Sequence, residues 1–126
     1  MNDIAKDVAL LFVAVSAADR KILEEEVFIM EKCAADYGIE EKEWEKALNI
    51  SFITYFNGGD EAISKAIYRL SRNLDKERRK ELTEDLLAIA LVDEELHPKE
   101  KMIIKMACRA FGVHLKVPME FNINSL

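Results

Sequence analysis

Glycine and proline are scarce in this chain, and their scarcity limits the fold class. The 126 residues include four glycines and two prolines, too few for the many turns of an all-β domain. The two cysteines, Cys33 and Cys108, form no Cys-x-x-Cys pair and no disulfide framework. They fit a reducing compartment, so we expect a cytoplasmic protein. Half of the residues are hydrophobic and 33% are charged, which excludes a disordered chain. The length predicts a single domain over residues 1–126.

A positive net charge is also missing. The 24 acidic and 18 basic residues give a net charge of −6, which argues against nucleic acid as a partner. The longest apolar run, residues 8–18, is too short to span a bilayer. Asp3, Lys6 and Asp7 precede it, so the segment lacks the positively charged start of a signal peptide. We therefore expect a buried helix there, and no membrane insertion.

Catalytic motifs are the third absence. The sequence contains no recognisable nucleophile–base set, no glycine-rich phosphate loop and no complete set of metal ligands. Glu94 and His97 have the spacing of one di-iron ligand pair, but that site needs a second such pair, and the chain has none. We expect a protein that is not an enzyme. A small metalloenzyme is the weakest of the hypotheses.

Helical periodicity of apolar residues dominates what is present. Capping residues and glycines divide the pattern into helices over about 4–15, 24–37, 40–56, 60–70, 75–89 and 98–111. In this pattern Asp60 and Asp75 are predicted N-caps, and Pro98 a first helical residue. Pro118 permits a short seventh helix at about 118–124. The pattern predicts an all-α, compact bundle of six to seven helices. The aromatic residues of the third helix are predicted to be core residues: Trp44, Phe52, Tyr55 and Phe56.

An internal repeat relates the two ends of the chain. At an offset of 74 residues, segment 14–39 aligns with segment 88–113 without a gap. The aligned features are an apolar helix that ends in Asp, a Glu seven residues later, and an aromatic-Gly-aliphatic sequence at the end of the next helix. The repeat predicts two equivalent helical hairpins, with the third and fourth helices between them.

The repeated sequences resemble a known family. Ala17-Ala18-Asp19-(x6)-Glu26 and Leu91-Val92-Asp93-(x6)-Glu100, each followed by a Gly twelve residues later, look like the two repeats of the tellurite-resistance TerB-like family. The resemblance implies an all-helical bundle, an association with tellurite and other stresses, and a relation to the N-terminal domain of a membrane-anchored co-chaperone. It also implies a metal or other cation at the acidic positions, although no precise activity is established for the family. Here Arg20 and Glu94 follow the Asp, where the family usually has Gly.

The four repeated acids have two interpretations. Asp19, Glu26, Asp93 and Glu100 would present carboxylate oxygens to a divalent cation. Alternatively, each Asp accepts backbone N–H groups in its turn, and each Glu reaches back to the start of its helix. We favour the second interpretation because buried carboxylates usually have local partners. No other cofactor is expected.

Charge is segregated along the chain. Residues 65–80 hold seven bases and two acids, and residues 81–95 hold six acids and no base. We favour pairing within the chain over docking of an oppositely charged protein or weak self-association. The leading hypothesis is a non-enzymatic, stress-associated module that binds a protein partner, with a divalent cation at the acidic turns. The alternative is a purely structural interaction domain without metal.

Overall fold

The chain folds into six α-helices in the computed structural model, which describes residues 3–17, 24–92 and 97–115. The helices are α1 Asp3–Ser16, α2 Glu24–Asp36, α3 Glu41–Phe56, α4 Asp60–Asn73, α5 Lys76–Ala90 and α6 Pro98–Phe111. No strand occurs within the described ranges, so the predicted all-α bundle is confirmed. The predicted seventh helix at 118–124 lies outside the described residues. No described helix is long and apolar enough to cross a bilayer.

The helix ends follow from local sequence. Asp75 caps α5, because its side chain accepts a hydrogen bond from the Arg78 amide at 2.8 Å. Pro98 is the first residue of α6, where its missing N–H costs nothing. Gly38 and Gly112 follow α2 and α6 with φ of 72° and 68°. In this left-handed conformation the chain turns back and satisfies the last carbonyl groups of the helix, and glycine adopts it at little cost.

The predicted cap of α4 was wrong by one residue. Asp60 is the first residue of the helix, and the N-cap is Gly59. The reason is that the Gly59 carbonyl already accepts the first intrahelical hydrogen bond, from the Ile63 amide at 2.8 Å. The Asp60 carboxylate instead lies 3.6 Å from the Lys99 ammonium.

Helix α1 is the centre of the bundle. It contacts all five other helices, and every residue from 8 to 17 is buried. A helix that is apolar on all sides is stable only when it is covered on all sides. The ring of Phe12 meets the ring of Trp44 on α3 edge-on, with 5.8 Å between their centroids. The predicted buried helix is therefore present at this position.

An ion pair between a buried aspartate and a half-exposed arginine joins α1 to α4. Asp7 is 4% exposed, and its carboxylate accepts two hydrogen bonds from Arg69, at 3.0 Å from Nε and 2.8 Å from Nη2. This fork geometry is the strongest form of a charged hydrogen bond. Lys65 also pairs within the chain, with Glu61 at 3.1 Å. These contacts agree with the favoured interpretation of the basic segment.

Candidate functional site

The ends of α1 and α3 and the starts of α4 and α6 meet at one end of the bundle. The Tyr55 hydroxyl near the end of α3 lies 3.5 Å from the Ala17 carbonyl oxygen, just after α1. The Lys99 ammonium at the start of α6 lies 5.1 Å from the centre of the Tyr55 ring and 3.6 Å from Asp60 at the start of α4. We call this end, defined by Ala17, Glu26, Tyr55, Asp60 and Lys99, the turn end. Helices α2 and α6 begin at this end, and each brings one of the predicted acids, Glu26 and Glu100, in its first turn.

Glu26 links the first helical hairpin. It is the third residue of α2 and is 5% exposed. Its carboxylate accepts a hydrogen bond from the hydroxyl of Ser16, the last residue of α1. A carboxylate needs such partners when it is removed from water. Asp19, its predicted companion, lies outside the described residues.

Glu100 occupies the equivalent position in the second hairpin. It is the third residue of α6 and is 4% exposed. One carboxylate oxygen accepts a hydrogen bond from the His97 backbone amide at 2.9 Å, which is the backbone contact of a capping box. This is the bond expected if Glu100 reaches back to stabilise the start of its own helix. Asp93 lies outside the described residues.

The bond from Ser16 to Glu26 has no counterpart at the equivalent position of the second hairpin, because Ser16 corresponds to Ala90 at the offset of 74 residues. Within the described residues, no group of three His, Cys, Asp or Glu side chains lies close enough to hold a metal ion. Because Asp19 and Asp93 are not among those residues, the four-acid cation site stays a prediction.

A second polar cluster lies between α2 and α5, and the sequence analysis missed it. Burial raises the pKa of the Cys33 thiol to about 12, helped by Asp85, which accepts its hydrogen bond. Burial also raises the pKa of Asp85, and nearby carboxylates including Asp36 add to this effect. The buried Tyr37 hydroxyl has no hydrogen-bond partner among the described residues. A thiol that stays protonated is neither a nucleophile nor a metal ligand at neutral pH.

The outward side of α3 is apolar. Ile50, Ile53 and Phe56 are 43%, 64% and 64% exposed, and we call these three side chains the α3 outer face. Phe56 contacts two rings of its own helix, stacking on Phe52 at 6.4 Å and meeting Tyr55 edge-on at 5.2 Å between centroids. The prediction that Phe56 is a core residue was therefore wrong. Trp44 is buried as predicted, and Phe52 and Tyr55 are partly buried.

The α3 outer face differs from the other exposed apolar side chains of the described residues. Phe28, Tyr68 and Met102 are each the one large exposed hydrophobic residue of their helix. Single exposed residues of this kind are normal on a protein surface. The α3 outer face instead has three such side chains on one side of one helix, and they form a patch. The surrounding segment of thirteen residues, 47–59, has no charged side chain.

The all-α bundle and its acidic helix starts define a class of small helical domains. The family model described as "Tellurite resistance protein TerB" matches residues 5–116 of the chain. The chain therefore belongs to the TerB tellurite-resistance family, as its repeated sequences indicated. Comparison with curated proteins and with solved structures gave no match.

Proposed function

We propose that this chain is a non-enzymatic, stress-associated module that acts by binding a protein through the α3 outer face. Membership of the tellurite-resistance family supports a module of that type. The observation that carries the binding proposal is the exposed cluster of Ile50, Ile53 and Phe56. Fully burying one exposed side chain of this kind contributes about 1.5–3 kcal/mol, and since these three are already partly covered, their remaining burial gives a moderate drive for association.

The composition of the face favours a protein as the ligand. Protein interfaces are rich in aromatic residues and poor in charge at their centres. The α3 outer face has both properties, because it includes Phe56 and lies in a segment, 47–59, that holds no charged residue. A partner that covers this face removes no charge from water, and its binding avoids the largest desolvation cost.

The polar groups support a role outside catalysis and a location in the cytoplasm. Glu26 and Glu100 each hold a hydrogen bond at a helix start, which is a structural task. The high pKa of Cys33 keeps its thiol unreactive. Both cysteines are free thiols, and we therefore propose a reducing compartment, the cytoplasm, as the site of action.

Photo-crosslinking tests the proposed function in cells that express the full chain. A photoreactive amino acid replaces Ile53, and cells are irradiated with and without tellurite. We expect a covalent adduct of defined mass that contains a second polypeptide. The same label at Tyr68, which is 59% exposed on α4, is the matched control and should give little adduct.

A tolerance assay tests the link to stress in the same cells. We expect Ile53→Glu to lower tellurite tolerance toward that of cells without the protein, whereas Tyr68→Glu leaves it unchanged. Equal adduct yields at positions 53 and 68, together with full tolerance for Ile53→Glu, would contradict the proposal.

A second candidate function is binding of a divalent cation at the acidic turns. The observation that favours it is the burial of two carboxylates, Glu26 and Glu100, at the same position of α2 and α6. Oxygen ligands of this kind suit calcium and magnesium. The alternative is that these acids only stabilise the helix starts, and the two cases give different results on titration.

An NMR titration of the pure protein with calcium, magnesium, manganese and zinc separates these cases. Cation binding predicts saturable shifts at residues 24–26 and 97–100 that disappear in the Asp19→Asn/Asp93→Asn variant. A matched control removes two exposed acids elsewhere, Glu45→Gln/Glu77→Gln, and should keep the shifts. No shifts in the wild type, with a lower Tm for the Asp variant, would make the acids turn scaffolding alone.

A further inference from the structure

We propose that a groove between α5 and the end of α6 binds an acidic segment of a partner protein, whose apolar side chains contact the floor and whose carboxylates pair with the rim. The groove is separate from the α3 outer face, so this inference goes beyond the proposed function. Its evidence is the shape of the groove, its apolar floor, and a rim of bases that have no partner within the described residues.

The first step is the shape of the groove. His114, which follows α6, lines three adjoining recesses of about 450, 500 and 390 Å³. We call them together the α5–α6 groove, defined by Lys80, Leu87, Lys105, Val113 and His114. Its lining on α5 runs from residue 76 to residue 91, a length of about 22 Å along the helix. An elongated groove of this kind suits a length of polypeptide.

The second step concerns the floor, which is apolar. Leu87 is 7% exposed, and Val113 and Leu115 are partly buried against the core. Side chains that lie this deep cannot insert into a bilayer, whose peripheral proteins present protruding apolar groups. The described lining also includes no Phe, Tyr or Trp, the side chains on which the bases of single-stranded nucleic acids stack. A polypeptide with apolar side chains therefore fits the floor best.

The third step concerns the charge of the rim. Among the described residues that line the groove, lysine and arginine outnumber the acids by four to two: Lys76, Lys80, Lys105 and Arg109 against Glu77 and Glu84. This excess of positive charge lies on a chain whose net charge is −6. Charge complementarity selects an acidic partner for such a rim, and it repels a basic one.

The bases of the rim also lack partners of their own. The other five bases of segment 65–80 each hold an oxygen atom of another described residue: Lys65, Arg69, Arg72, Arg78 and Arg79. Lys76, Lys80, Lys105 and Arg109 form no ion pair or hydrogen bond with a side chain or backbone group in the described ranges.

The position of Lys76 adds to this argument. Lys76 is the first residue of α5, and the dipole of a helix disfavours positive charge at its start. Arg109, by contrast, lies in the last turn of α6, where the dipole favours it. The electrostatics of α5 therefore do not account for Lys76, whereas a carboxylate from outside the chain would stabilise it.

An NMR titration of the full chain with a synthetic peptide tests the inference. The probe alternates Glu and Leu over about seven residues, which matches the groove when the peptide is extended and places the two residue types on opposite sides. We expect saturable shifts at Lys80, Leu87, Val113 and His114. Binding should weaken as the salt concentration rises from about 50 to about 500 mM, because exposed charges are screened. Control peptides of alternating Glu and Ser, or Lys and Leu, should give no saturable shifts.

Charge-reversal variants test the rim. Lys80→Glu/Lys105→Glu should raise the dissociation constant of the Glu–Leu peptide at least about tenfold, because carboxylates then face carboxylates. The matched control, Lys42→Glu/Lys46→Glu, changes the net charge by the same amount at two exposed positions of α3 and should leave the binding nearly unchanged. Circular dichroism confirms that each variant is folded.

Three results would overturn the inference. The first is the absence of saturable shifts at about 1 mM peptide, or shifts confined to the α3 outer face. The second is equal affinity of the two double variants for the peptide. The third is another occupant, either vesicles that contain phosphatidylserine and shift the groove residues when the peptide does not, or the chain's own residues after 115. A photoreactive amino acid at the exposed groove position Ala88 detects the latter as an adduct within the pure protein. The crosslink at position 53 does not depend on this groove, so either proposal can fail while the other stands.

Discussion

At the scale of single residues, burial decides the chemistry of this protein. Cys33 and Asp85 lie at the junction of α2 and α5, where burial raises the pKa of both groups. The Arg78 guanidinium lies 5.2 Å from the centre of the Tyr37 ring beside them and donates a hydrogen bond to the Asp36 carbonyl at 3.1 Å. The cluster thus joins α2 to α5, and its contribution to the free energy of unfolding depends on whether Asp85 is protonated.

Asp85 makes the free energy of unfolding depend on pH. Its pKa is higher in the folded than in the unfolded chain, so the folded state binds the proton more tightly. Stability is therefore lost as pH rises from the ordinary aspartate range through the raised pKa. We expect Asp85→Asn, which keeps an acceptor for the Cys33 thiol, to raise Tm at pH 7. The gain should shrink below about pH 4.

Thermal unfolding between pH 3 and pH 8 checks this expectation. Glu77→Gln, which removes an exposed charge from the first turn of the same helix, is the control and should show little change with pH. A Tm for Asp85→Asn that is below the wild type by the same amount at pH 3 and pH 7 would show that ionisation of Asp85 is not the cause.

At the scale of helices, the ends were predicted well because they are encoded locally. Asp75, Pro98 and Gly112 act on groups within a few residues of themselves, and a sequence displays such neighbours directly. Helices α2 and α6 also end in the same way. The backbone amides of Ile39 and Val113 each donate a hydrogen bond to the carbonyl oxygen five residues earlier, at 3.1 and 3.0 Å. That bond requires the left-handed glycine between helix and loop.

The two glycines at these helix ends give a matched pair of variants. A Cβ at Gly38 or Gly112 meets no atom within 4 Å, so Ala substitution costs only the strained backbone, about 1 kcal/mol at each site. We expect Gly38→Ala and Gly112→Ala to lower Tm by similar amounts, roughly 3–5 °C. Gly112→Asn should lose less, because asparagine tolerates this conformation. Equal losses for Ala and Asn would argue against the backbone explanation.

Apart from the α4 cap, which is a local error of one residue, the features that were missed or wrongly assigned depend on distant parts of the chain. Periodicity shows that α3 is apolar on two sides but not which side the other helices cover, so Phe56 was assigned to the core. The contact between Cys33 and Asp85 joins residues 52 positions apart, so no local sequence pattern predicts it. The hydroxyl partner of Glu26 likewise comes from the preceding helix.

At the scale of the whole molecule, the pair Asp7–Arg69 ties the central helix to the outer layer. Removal of Arg69 leaves the buried Asp7 charge without its main partner, which is more costly than removing both charges. We expect Arg69→Met to lower the free energy of unfolding by about 2–3 kcal/mol. The Asp7→Asn/Arg69→Met variant should lose less than Arg69→Met alone.

Urea unfolding measures both variants. Arg72→Met, which removes an exposed arginine of the same helix, serves as the control and should cost less than about 1 kcal/mol. A double variant that is less stable than Arg69→Met would contradict the ion-pair explanation.

The central position of α1 has a consequence for how the chain is made. Helix α1 precedes in the sequence every helix that covers it, and α6, the last described helix, is among them. During synthesis its apolar surface has no complete cover until residue 111 has left the ribosome. Contacts between distant parts of the chain form late in folding, and exposed apolar segments invite aggregation. The nascent protein therefore passes through a period in which its most hydrophobic helix is incompletely covered and open to aggregation.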